Sequence, residues 1–121
     1  MGLFDKVRGN RAADGVVYAF TFKIVSGQTQ IPTPMRGAYV VAYALGKTPT
    51  EAAERSVTKL RTMGYVVQDM EPKGGEIALA RWDEHLAERW PEFANHFPGQ
   101  HKIVGELEQR HAILSPFAGF E

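Results

Sequence analysis

The chain has 121 residues, 44% of them apolar, and its 14 basic and 14 acidic side chains leave no net charge. That length predicts one domain over residues 1–121 with a core that needs no staples, and the neutral balance argues against a nucleic-acid partner. With no cysteine there is no disulfide or thiolate metal site, and with no membrane-spanning run or signal-peptide core the chain reads as cytoplasmic, with no membrane partner.

Residues 1–13 hold Leu3, Phe4 and Val7 among charges and read as an N-terminal arm. Val16 to Val25 alternates: Tyr18, Phe20, Phe22 and Ile24 are large and face a core, while Val17, Ala19, Thr21, Lys23 and Val25 make a mixed, half-wet face. Ser26 to Gly37 is too long for a tight hairpin and is broken by Pro32 and Pro34, with Ile31 tucked inward. Its polar residues Gln28 and Gln30, with Arg36 at its end, are candidates for recognition, because long polar loops on a rigid sheet often carry it.

Ala38 to Leu45 is an unbroken apolar run. Ala38, Val40, Ala42 and Ala44 give one face small enough for a helix to pack closely. Thr48-Pro49-Thr50-Glu51 then carries an N-cap, a proline at the first helical position and an acid in the first turn. Ala53, Val57 and Leu60 follow at helical spacing until Gly64 stops the helix. Tyr65 to Met70 resumes as a strand, which makes this strand parallel to the second. Further on, Leu79, Trp82, Leu86, Trp90, Phe93 and Phe97 predict a helix over about 83–90, broken at Pro91 and followed by a short helical piece. Glu76 to Ala80 admits a short strand instead. His101 to Leu107 reads as a fourth strand, with Gln109 to Leu114 extending it or adding an edge. Residues 115–121 form a tail with two aromatics, Phe117 and Phe120, which folds back on the domain or inserts into a partner. The order predicts an α+β domain: a two-layer sandwich with a mixed, mostly antiparallel sheet of about four strands and helices packed on one face.

No catalytic residue is assigned. Serines lack a nucleophile elbow, and Gly74-Gly75 lacks the lysine and hydroxyl of a phosphate loop. The histidines His85, His96, His101 and His111 lack close ligand spacing, so no metal and no cofactor are expected. Residues 1–68 carry nine basic and four acidic groups, and residues 69–121 carry five and ten, a split of +5 and −5. Three functions remain. The first is a non-enzymatic protein-binding domain (an inhibitor, immunity-type or accessory subunit) using Gln28, Gln30, Arg36, Phe117 and Phe120. The second is a small-ligand binder or small enzyme with a pocket at Tyr39, Tyr43, Trp82 and His85. The third is a structural homo-oligomer.

Overall fold

The computed structural model describes residues 15–31 and 36–120, with backbone only at Phe120. The expected arm of residues 1–13 and the loop prolines Pro32 and Pro34 lie outside them. The strands are β1 (Val16–Val25), β2 (Gly37–Ala44), β3 (Val66–Met70), β4 (Gly75–Ala78), β5 (Ile113–Leu114) and β6 (Ala118–Phe120). The helices are α1 (Pro49–Thr62), α2 (Trp82–Arg89) and α3 (Ile103–Arg110), with short 3-10 turns at Leu79–Arg81 and Ala94–His96.

The α+β class is as the sequence predicts, with six strands where about four were expected. The six occupy four lanes. β1 and β2 form the centre as an antiparallel pair from Tyr18–Ala44 to Val25–Gly37. β3 and β4 lie end to end along the other edge of β1, interrupted at Glu71–Gly74, where Pro72 cannot donate to a ladder. β5 and β6 share the outer edge of β2 in the same way, interrupted at Ser115–Phe117. There Ser115 keeps the ladder closed. Its amide donates to Val41 O at 2.8 Å, and its Oγ accepts from Val41 N at 2.9 Å. Because β1 is antiparallel to both β2 and β3, those two run parallel with β1 between them.

Local chemistry sets α1. Thr48 Oγ1 accepts from Glu51 N at 3.1 Å, Pro49 opens the first turn, and Arg55 donates to Glu51 at 3.1 Å. At the other end Gly64 turns the chain with φ +94, a conformation costly to any residue with a Cβ. The loop after β1 closes that end: Thr29 N donates to Gly64 O at 3.0 Å, and Thr29 Oγ1 donates to Met63 O at 2.5 Å. Gly27 permits the approach, since a Cβ there would stand 2.5 Å from Gly64 O. Part of the long polar loop is therefore the C-terminal cap of α1, with Ile31 buried as expected.

Two cores lie on opposite faces of the sheet. On one, Tyr18, Phe20, Phe22 and Ile24 join Ala38, Val40, Ala42 and Ala44 under Ala52, Ser56 and Leu60 of α1. The small residues of β2 thus receive the helix, as anticipated. On the other, Val17, Val41 and Tyr43 are covered by Leu79, Trp82, Leu86, Phe97, Ile103 and Leu107. Helices therefore cover both faces and not one. The physical reason is that Val41, Tyr43 and Leu45 leave the second face of β2 as apolar as the first, so it too must be taken from water. A second correction concerns 101–107, expected as a strand and found as α3 from Ile103. Ile103 and Leu107 are fully buried while Gly105 between them is exposed, which fits one face of a helix and not a strand, where all three would share a side. Glu76 to Ala80 divides between β4, paired with β1 and not with β3, and the following turn. Among the described residues no helix is long and apolar enough to cross a membrane.

Candidate functional site

Trp82 and Tyr43 organise the second core. The heptad-like spacing of Leu79, Trp82 and Leu86 points one side of α2 at the sheet, where Tyr43 stands from β2. The Tyr43 ring meets Trp82 edge-on at 5.0 Å and Phe97 at 5.8 Å. Its hydroxyl lies 2.8 Å from His85 Nε2 and 2.7 Å from Trp90 Nε1. An indole N–H only donates, so Tyr43 Oη accepts from Trp90, and its bond to His85 Nε2 has the hydroxyl donating in the tautomer that leaves Nε2 without a proton. That arrangement needs a neutral His85 with its proton on Nδ1. Burial raises the Tyr43 pKa against the opposing pull of the Trp90 hydrogen bond and the Arg89 charge. Burial likewise lowers that of His85, helped by Arg89 and opposed by Glu88.

The second member of the expected ligand pocket, Trp82, is equally committed: its Nε1 donates to Pro98 O at 2.8 Å. Structure thus brings Tyr43, Trp82 and His85 together but spends Tyr43 Oη, Trp82 Nε1 and His85 Nε2 on one another and on the backbone. Tyr39 lies four residues up the same face of β2, roughly 13 Å away, and does not join them. His85 alone reaches a shallow groove of ≈ 280 Å³, shared with Glu76, Arg81, Glu84 and Glu88. Arg81 is tied there to Glu84 at 2.7 Å. Among the described residues no three metal-ligating side chains converge.

A pH dependence follows from the neutral His85. The unfolded chain takes up a proton near the ordinary value of 6.5, while the folded chain resists it to lower pH. Stability is therefore full above that value and declines as pH falls below it. Thermal melts at about pH 7.5 and about pH 5.5 are expected to show a smaller drop for His85→Gln than for the unchanged chain. Equal drops would remove His85 as the source.

Other predicted residues scatter. Gln28, Gln30 and Arg36 are exposed. Phe117 packs on the first core and meets Tyr65 edge-on at 5.4 Å. The tail folds back as β6, with the Phe120 backbone opposite Gly37.

A second surface was not singled out from the sequence. Ala53 and Val57, expected in the core with Leu60, are only half-buried, because α1 is rolled so that Ala52, Ser56 and Leu60 point straight at the sheet. Together with Phe22, Val67 and Met70 they line a groove of ≈ 450 Å³ between α1 and β3. β3 is an edge strand with no neighbour on its outer side among the described residues. Met70, in the wall of the groove, stands 39% exposed, while Met63 and Val66, outside it, stand 39% and 48% exposed. The signal was present in Val66, Val67 and Met70, a strand apolar on both sides at the end of a sheet.

Comparisons with protein-family models, with curated proteins and with solved structures find no match to this chain.

Proposed function

We propose that the chain is a non-enzymatic protein-binding domain, of the inhibitor, immunity-type or accessory-subunit kind, and that the groove between α1 and β3 is its contact surface. One observation carries this reading: a groove with Phe22, Ala53, Val57, Val67 and Met70 in its wall lies open beside an edge strand, and Met70 stands 39% exposed in it. Such edges are usually blunted with charge or covered, and an apolar one left open marks an interaction site. The loop extends the surface. Thr29 is bonded to Met63 and Gly64, which sets the exposed Gln28 and Gln30 beside the C-terminus of α1. Phe117 contributes to the fold and not to the contact. The small-ligand reading has less support, because the polar atoms it needs from Tyr43 and Trp82 are consumed inside the protein.

The test is to identify the protein retained by the immobilised chain and titrate the purified pair. Met70→Glu is expected to weaken that complex at least about tenfold, since it places a carboxylate in an apolar contact. A folded Met70→Glu variant that binds as tightly as the original would take the groove out of the site.

A further inference from the structure

We infer that the occupant of the groove is a second copy of this chain, docked about a two-fold axis with α1 antiparallel to its mate. This rests on the groove being a docking surface. What selects the occupant is the charge along the open side of α1. Glu54 and Arg61 of α1 both line the groove, as Asp69 of β3 does, and Val57 and Thr58 lie between the two helix charges. Neither charged group takes part in an ion pair within the described residues, whereas Glu51 and Arg55, one turn away, are bonded to each other.

Seven residues separate Glu54 from Arg61, about 10.5 Å along the helix. A two-fold axis through the midpoint, between Val57 and Thr58, sets Glu54 of each copy against Arg61 of the other. An isologous contact requires this self-complementarity. A partner of unlike sequence would have to present an acid and a base at the same separation in reverse order, whereas a second copy does so by symmetry. The centre of the patch suits close approach, because Val57 and Thr58 are short side chains and interhelical distance follows the size of the contact residues. Apolar flanks are supplied symmetrically. Met70 lines the groove at the Thr50 and Glu54 end, so the same rotation carries it toward the Arg61 end of the other copy.

The experiment is sedimentation velocity on the full chain over a wide concentration range at low salt. The chain is expected to shift reversibly from the monomer mass to twice that mass. Glu54→Arg and Arg61→Glu each create two like-charge pairs across the axis. Each is expected to weaken self-association at least about tenfold. Mixing the two variants pairs every acid with a base again and should restore an assembly of the original strength, as should Glu54→Arg combined with Arg61→Glu in one chain. A folding defect would not be rescued by mixing, so that arm separates surface from fold. An unchanged chain that stays monomeric throughout, or single variants that associate as well as the original, would overturn the inference. A monomer that still loses a captured partner on Met70→Glu sinks the second copy alone. Indifference to Met70→Glu as well sinks the docking groove with it.

Discussion

Trp82→Ala is expected to cost about 3–5 kcal/mol, the range for emptying a buried tryptophan site. Trp82 is fully buried. Its ring holds Tyr43 at 5.0 Å, His85 at 5.6 Å and Phe97 at 6.2 Å, and its indole bonds the Pro98 carbonyl. Three parts of the second face therefore meet at this side chain: α2 carries it, β2 stands beneath it, and the segment before α3 is tied to it. Domains of this size are stable by about 5–15 kcal/mol, so the variant should lie near the edge of folding. Urea unfolding followed by circular dichroism measures the loss. A loss below about 1 kcal/mol, typical of exposed positions, would show that the second face is not packed around Trp82.

Tyr43→Phe is expected to cost about 1–3 kcal/mol, although it removes one oxygen and keeps the ring. The loss comes from what the oxygen holds. Trp90 Nε1 loses its acceptor and His85 Nε2 its partner, and both bonds are partly shielded from water. Trp90→Phe removes one of those bonds and leaves the Tyr43–His85 pair intact, so it should cost less than Tyr43→Phe through hydrogen bonding. Urea midpoints for the two single variants and the double variant give the coupling. Coupling indistinguishable from zero would mean that the three side chains do not act as a unit.

Much of the first face was legible because its signals are local. Thr48, Pro49 and Glu51 fix the start of α1, Gly64 fixes its end, and the small residues of β2 announce where the helix lies. β1 was legible from alternation alone. The second face was harder. Ile103 and Val104 are β-branched and adjacent, which favours a strand on local grounds, and the burial of Ile103 with Leu107 that makes α3 a helix depends on Trp82 and Tyr43 being in place. The bonds of Tyr43 to His85 and Trp90 span 42 and 47 residues, and no local spacing encodes them. Tyr43, Trp82 and His85 could be nominated as neighbours because each is unusual in its element, but their mutual hydrogen bonding could not be read from the chain. The groove was missed for a subtler reason. Helical periodicity gave the apolar arc of α1 but not its rotation about the axis. A roll of one position moved Ala53 and Val57 from the core to the groove wall.

One NMR titration reads the groove directly: the concentration of the labelled chain is raised, or its captured partner is added. The methyl of Met70 and those of Val57 and Val67 are expected to move, while the indole N–H signals of Trp82 and Trp90 hold still. Indole signals that move while Met70 stays fixed would place the contact over Tyr43 and His85 and contradict the assignment of the groove.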